Sequence, residues 1–376
     1  MKIVLTGGGS GGHFYPIISV AESIRNISKE MKLLDPEMYY IGPNAFDERA
    51  LFDNGIIFKK NIAGKRRVYF SLKNFIDLFK IAYGTITALW KLFIIFPDVV
   101  FSKGAYGAFP VLVAARFFRI PVIIHDSDSV PGRVTLWSSK FAKKIAISFE
   151  EAATSFPAEK LALTGNPIRK ELLEPAKSGA KEFLNLESSL PVVLILGGSQ
   201  GSQKINEVIL RLLPELVEKY QVIHQTGVDN IEFMKSMVGV SLKDKKFLSR
   251  YKPFGYLDIL AMKMSAGAAD IVVSRSGGGG IFEIANWGIP SILIPIPESI
   301  SRDQSTNAFA YSSTGAAVVI QEENLSPHVL LAEIDRILSD KTIQDAMKKS
   351  AKAFARIDAA DKIAKEIINI GLKHES

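Results

Sequence analysis

Three stretches of this chain place glycine where a backbone could close on an anion: Gly7-Gly8-Gly9-Ser10-Gly11-Gly12-His13, Gly197-Gly198-Ser199-Gln200-Gly201-Ser202 and Arg275-Ser276-Gly277-Gly278-Gly279-Gly280-Ile281-Phe282-Glu283. Each leaves a short apolar run (Ile3-Val4-Leu5, Val192–Leu196, Ile271-Val272-Val273), so each reads as a buried strand turning sharply into a helix. Glycine permits φ > 0 and a close approach of backbone to ligand. The free N–H groups of the helix that follows then hold a negative group such as a diphosphate. The third stretch adds a fixed cation, Arg275, and a carboxylate, Glu283, in the first turns of its helix. There Glu283 can accept hydrogen bonds from a pair of ribose hydroxyls.

Two familiar nucleotide sites do not fit these residues. Met38–Ile41 reads as the second strand and ends in Gly42-Pro43, where a dinucleotide site would carry an acid for the ribose. His13-Phe14 stands where a Walker A loop would have Lys-Ser/Thr. Asp126-Ser127-Asp128 matches the Asp-x-Asp pattern that holds Mg²⁺ or Mn²⁺ in single-domain sugar transferases. A second glycine-opened half has no place in that architecture, so no metal is expected.

The elements that must position these loops follow from the pattern of the whole chain. At 376 residues, two domains are expected. An apolar share of 47% with 23% charged residues describes a folded globular protein. There is no cysteine, which excludes disulfides and thiolate metal sites and fits a reducing cytoplasm, and no secretory signal is visible. The net charge of +7 favours an anionic partner. Nucleic acid is not expected, because the charge is spread and no nucleic-acid-binding motif occurs.

Asp98–Phe101, Pro121–His125, Ile145–Ile147 and Leu161–Thr164 complete the strands of the first half. Val192–Leu196, Gln221–His224, Lys246–Ser249, Ile271–Ser274, Ser291–Ile294 and Ala317–Ile320 form the second. Strands alternating with helical patterns predict two doubly wound parallel sheets. Ligands of such sheets bind beyond the carboxyl ends of the strands, where the polar clusters at 7–13, 102–107 and 125–128 fall. Ser326-Pro327 predicts a capped helix start with Leu330, Leu331, Ile334 and Ile337 inward. Lys65-Arg66-Arg67 precedes a dense apolar stretch, Phe75–Phe96, interrupted by Asp77, Lys80 and Lys91. It reads either as a core helix or as an aromatic surface resting on an anionic bilayer.

At this point the chain resembles the MurG family of glycosyltransferases. The matching stretches are Gly8–His13, Pro97-Asp98-Val99-Val100, Gly165–Arg169, Gly197–Gly201, His224-Gln225-Thr226-Gly227, Arg275–Glu283, and Gln304 with Asn307-Ala308. The resemblance implies the GT-B arrangement, two Rossmann-like domains facing across a cleft, with residues 1–167 on the acceptor and membrane side. Residues 168–354 would bind the UDP-sugar, and a final helix at about 355–376 would pack back on the first domain.

It also implies the reaction: inverting transfer of N-acetylglucosamine from UDP-N-acetylglucosamine to the 4-hydroxyl of undecaprenyl-diphosphate-linked muramyl-pentapeptide. The work would be done at the cytoplasmic face of the plasma membrane, against its anionic inner leaflet. On the donor side, Ser199, Gln200 and Gly201 would meet the diphosphate, and Arg275, Ser276, Gly277 and Gly278 would flank the nucleotide. Glu283 would hold the ribose, Gln304 (with Asp303 beside it) the sugar, and Phe254 lies near the uracil position. On the acceptor side stand Gly9, Ser10, Gly11, Gly12, Tyr106, His125, Asp128, Asn166 and Arg169.

Such a displacement needs a base near the hydroxyl, for which His13 and Asp126 are the candidates, and stabilisation of the departing diphosphate. Two departures from the family fall on the acceptor side. Gly104-Ala105-Tyr106 stands for Gly-Gly-Tyr, and His125-Asp126-Ser127-Asp128 for His-Glu-Gln-Asn. They leave open a UDP-sugar transferase acting on another membrane lipid such as diacylglycerol, or a sugar-nucleotide binding module without turnover.

Overall fold

The computed structural model describes residues 1–64, 73–198, 200–242, 244–300 and 302–375, with side chains described for all of these except 73–76, 245, 302, 303 and 375. The chain divides into two compact units, Met1–Arg169 with Arg356–Ser376, and Lys170–Ala355.

The first unit is a seven-stranded parallel sheet made of β1 (Lys2–Thr6), β2 (Glu37–Gly42), β3 (Ile56–Lys60), β4 (Val99–Ser102), β5 (Val122–Asp126), β6 (Lys144–Ile147) and β7 (Leu161–Leu163). Their order across the sheet is β3-β2-β1-β4-β5-β6-β7. Side chains alternate along β1 and so feed two cores. Ile3 and Leu5 pack with Phe14, Ile17 and Ile24 of the helix Gly11–Glu30, whereas Val4 packs with Leu92 and Leu112 on the other face. The helix Ala359–Glu375 adds Ile363, Ile367 and Ile370 to the first of these cores.

The second unit repeats the design with β8 (Val192–Leu196), β9 (Gln221–Gln225), β10 (Tyr251–Phe254), β11 (Ile271–Ser274), β12 (Ser291–Leu293) and β13 (Ala317–Val319). These six strands are ordered β10-β9-β8-β11-β12-β13. The predicted cap is present: the Ser326 side chain accepts the Val329 N–H, and Leu330, Ile334 and Ile337 are buried.

Two elements differ from the pattern reading. The strand expected at Lys246–Ser249 is a helix, Lys245–Ser249, whose start is capped by the Asp244 carboxylate accepting the Lys246 N–H at 2.9 Å. The strand lies just beyond, as β10, and contains Pro253; an edge position tolerates the missing donor. The edge strand β3 went unpredicted, because only Ile56 of its five residues is buried and no alternation marks it.

The aromatic stretch forms the helix Lys73–Ile95, and it is core and surface at once. Ala88, Leu92 and Ile95 are buried, while Phe79, Trp90 and Phe93 are 62%, 65% and 61% exposed, with Leu78, Tyr83, Ile86, Ile94 and Phe96 exposed beside them. Polar groups anchor the inner side. Buried Asn61 donates to the Gly84 carbonyl at 3.0 Å and accepts from the Thr87 hydroxyl and the Lys91 ammonium. The basic residues 65–67 and the Phe75 side chain lie outside the described residues.

Candidate functional site: two glycine-turn half-sites

All strands of each sheet run parallel, so every loop that follows a strand emerges at one edge. In the second unit β8 lies between β9 and β11, with Leu196 paired to Gln225 on one side and Ser274 on the other. The 197–202 turn therefore emerges between the 226–230 and 275–280 loops. It interlocks with the first of these. Gly201 has φ of +77°, and a Cβ there would be driven into the Thr226 carbonyl; Gly227 has φ of +95° and meets the Gln200 carbonyl in the same way.

Gln225 ties the edge together. Its amide donates to the Gly198 carbonyl at 2.8 Å and its carbonyl accepts the Leu257 N–H at 3.0 Å. Sequence reasoning matched this residue to the family and assigned it no task; a buried amide at a strand end was the available signal. Neighbouring His224 shares a 2.9 Å hydrogen bond with the Tyr251 hydroxyl. Burial pulls its pKa down to about 3, so the ring is neutral.

Arg275 has another task than a cation facing the diphosphate. Its guanidinium ion-pairs with Glu322 and donates to Ser202 Oγ at 2.6 Å and to the carbonyls of Ile294 and Pro295 at 3.1 and 3.2 Å. With its charge neutralised, it braces the Ser202 cap of the helix Gln203–Lys219 against the end of β12. The helix N-termini at this edge can hold an anion without it.

Gln304 ties the third glycine stretch to the end of β12. Its side-chain carbonyl accepts the N–H groups of Ser276 and Ile296 at 3.3 and 3.2 Å, while the Ser276 hydroxyl donates to the Gln304 backbone at 2.8 Å. The Gln304 Nε2 lies 3.9 Å from where a Cβ on Gly277 would stand, beside Gly278, the first residue of the helix Gly278–Trp287. Glu283 is the sixth residue of that helix and half-buried, on the order of 8 Å below its start at 1.5 Å per residue. Gln200 is exposed at its turn, and Phe254 ends β10 with its carbonyl accepting the Thr226 N–H at 2.8 Å. Ser199 and the Asp303 side chain lie outside the described residues.

The first unit's loops converge likewise. Ser10 starts the helix Gly11–Glu30 in extended conformation, and its carbonyl accepts the N–H groups of His13 and Phe14 at 3.0 Å. Its side chain makes no capping bond, and Gly12 beside it is exposed. A Cβ on Gly9 would lie 2.9 Å from Asn44 Oδ1 and 3.5 Å from the Tyr106 hydroxyl. Asn44, exposed after β2, is a second residue that sequence reasoning passed over.

The ionisable groups here are crowded. The His13 ring is half-buried, and surrounding protein together with the Lys103 charge pulls its pKa down to about 4. Asp126 is 6% exposed, and its oxygens accept the N–H groups of Asp128 and Gly132, both at 3.1 Å. Burial, then Asp128, raises its pKa. These bonds make it the anchor of the 126–132 loop, where sequence reasoning had it as a candidate base. Among the described residues no cluster of three or more His, Cys, Asp or Glu could hold a metal.

His125 is also internal. It is fully buried, its Nε2 lies 2.9 Å from the Gly165 carbonyl, and burial holds it neutral, so it positions the Gly165-Asn166 turn and does not face a ligand. Asn166 is buried beneath that turn, with its Oδ1 accepting from the Ser127 hydroxyl at 3.1 Å. Arg169 lays its guanidinium 4.1 Å over the Tyr15 ring, on the helix of the first glycine turn.

Two parallel-sheet units of this order, each with glycine turns and helix N-termini at the carboxyl edge, have the architecture of the GT-B class. Comparison with known proteins agrees. The model of the glycosyltransferase family 28 N-terminal domain matches residues 3–147, and that of its C-terminal domain matches residues 192–363.

Two curated relatives carry the full name UDP-N-acetylglucosamine–N-acetylmuramyl-(pentapeptide) pyrophosphoryl-undecaprenol N-acetylglucosamine transferase. The one from Lachnoclostridium phytofermentans is 38% identical over 375 residues, covering 99% of each chain. Transferase 2 of Bacillus cereus is 35% identical over 356 residues, covering 93% of this chain and 95% of that one. Among solved structures, MurG of Acinetobacter baumannii superposes with a TM-score of 0.73 at 24% identity, covering 98% of this chain and 99% of that one. MnaA of S. aureus, solved with UDP, gives a TM-score of 0.70 at 13% identity and 98% coverage of both, a likeness of fold. The chain belongs to the MurG family within glycosyltransferase family 28.

Proposed function

We propose that this protein moves N-acetylglucosamine from UDP-N-acetylglucosamine to the 4-hydroxyl of undecaprenyl-diphosphate-linked muramyl-pentapeptide, a step of peptidoglycan synthesis. The observation that carries the reading is similarity, at 35–38% identity over nearly the full length, to transferases so named, joined to the bonded glycine-turn edge of the second unit.

The donor diphosphate lies over the N-termini of the helices Gln203–Lys219 and Gly278–Trp287, which meet its charge as UDP leaves. The reading assigns no metal to that task. The Gln304 amide orients the sugar, Glu283 accepts from the ribose hydroxyls, and Phe254 flanks the base. The acceptor diphosphate takes the first glycine turn, Gly9–Gly12, with Tyr106 and Asn44 beside it. His13 stands at that turn as a neutral imidazole, able to take the hydroxyl proton as the new glycosidic bond forms and the bond to UDP breaks.

The apolar face of the helix Lys73–Ile95 rests on the cytoplasmic leaflet, where a lipid-linked acceptor resides. Its exposed Phe79, Trp90 and Phe93, beside polar anchors that fix the other side, support this placement. The test is UDP release from UDP-N-acetylglucosamine with and without lipid-linked muramyl-pentapeptide. Release that depends on that acceptor is expected. Donor binding without acceptor-dependent release, or release driven by diacylglycerol instead, would overturn the reading.

A further inference from the structure

Lys103 takes no part in the chemistry above, yet it occupies the centre of the acceptor half-site. It follows β4 directly and is 2% exposed. Its N–H donates to the Thr6 carbonyl at 2.9 Å, and its Cβ lies 3.4 Å from where a Cβ on Gly7 would stand, so it packs against the base of the first glycine turn. Its ammonium donates to Ser127 Oγ, and that hydroxyl donates onward to Asn166 Oδ1. One buried cation thus links the loops after β4, β5 and β7. Ser127, the middle link, is the partly accessible one.

The charges around it explain why a lysine is kept in so dry a place. Asp126 and Asp128 both face Lys103, whereas His13 and His125, the other ionisable groups that interact with it, are neutral. Without the ammonium, two carboxylates would stand beside the turn that is to receive a diphosphate. With it, the local balance falls to a single negative charge. The loop 125–128 is also where this chain carries one acid more than the His-Glu-Gln-Asn of the family it resembles.

We infer that Lys103 is a specificity-determining positioning residue: acting through Ser127, its charge offsets the Asp126–Asp128 pair and admits a diphosphate-bearing acceptor to the first glycine turn. This rests on the acceptor assignment proposed above. Burial lowers the Lys103 pKa to about 8, against the opposing pull of Asp126 and Asp128. The charge is therefore present below that pH and lost above it.

The test is acceptor kcat/KM and donor KM from pH 6.5 to 9.5 in the wild type and three variants. In the wild type, acceptor kcat/KM should fall above about pH 8 while donor KM stays level. Lys103→Arg keeps its charge at every pH and should abolish that fall. Lys103→Met should lower acceptor kcat/KM about tenfold at pH 7, the size expected of one screened charge at short range, with no fall at higher pH. Ser127→Ala should give a smaller loss and retain the pH dependence. If Lys103→Met does not fold, the wild-type and arginine profiles decide the matter. A level wild-type profile, or an equal rise in donor KM in Lys103→Met, would overturn the inference. No acceptor-dependent UDP release from the wild type at any pH would overturn the functional reading, and this inference with it.

Discussion

The two glycine-turn half-sites are built on the same sheet order from opposite materials. In the second unit the edge is made of backbone, amides and hydroxyls. Gln225 and Gln304 bridge loops through neutral hydrogen bonds, and its cation, Arg275, is paired with Glu322. In the first unit the corresponding edge is held by ionisable groups under cover: Lys103, Asp126, His125 and the half-buried His13. Under the function proposed above, the contrast follows from the ligands. A nucleotide diphosphate is met by fixed dipoles, which need no counter-charge and respond little to pH. A half-site that must take up a proton and admit a charged lipid is tuned by interacting charges, and is the place where one substitution changes what binds.

The most severe way to test that division is to remove His13. His13→Ala should lower kcat by about 10² to 10⁴, the usual reach of a general base, and leave donor KM near its wild-type value. The pH profile should carry the same signature. With a pKa near 4, His13 is deprotonated throughout the neutral range, so its protonation should depress kcat/KM only toward that pH and not near 6.5. Loss confined to donor KM would mean that His13 is not the base.

The matching test in the second unit is Gly201→Ala. The positive φ and the Thr226 carbonyl leave no place for a Cβ, so the 197–202 turn must move away from the 226–230 loop. Donor KM should rise on the order of a hundredfold, the size expected when a bound diphosphate is deprived of backbone donors, with acceptor KM little changed. Equal losses on both substrates would erase the distinction between the half-sites.

Much of this was legible in the residues. Strand–glycine–helix junctions announce themselves because buried runs must end in turns that glycine alone can make, and the register of parallel strands then gathers those turns at one edge. What could not be read was which polar side chains the edge would absorb. Arg275 looks like a free cation until β12 and Glu322 are brought beside it. Lys103 looks like an ordinary surface lysine, and it is buried only because Ser127 and Asn166 arrive from other loops. The same limit applied to β10, where a proline masks an edge strand, and to Lys73–Ile95, whose Asp77 is buried and whose Lys91 donates to buried Asn61 while Lys80 stays exposed. Local pattern specifies elements; partners distant in the chain decide the fate of each charge.

A subtler consequence concerns acid stability. His13 and His125 in the first unit, and His224 in the second, all have folded pKa values below the ordinary 6.5, with burial the leading cause in each. For such a group the unfolded chain binds the proton first, so stability is complete above pH 6.5 and declines as pH falls toward the folded value. His13 alone should cost on the order of 1–2 kcal/mol at pH 5. With two such residues against one, the first unit should lose amide-exchange protection at a higher pH than the second. Hydrogen exchange between pH 7 and 4.5 reads this directly, before carboxylate pairs such as Lys219–Asp335 in the second unit begin to titrate. His125→Asn should narrow the gap between the units if its buried neutral ring contributes to it. Protection lost from both units at one pH would mean that the acid response belongs to the chain as a whole, and that the charged half-site sets no separate stability.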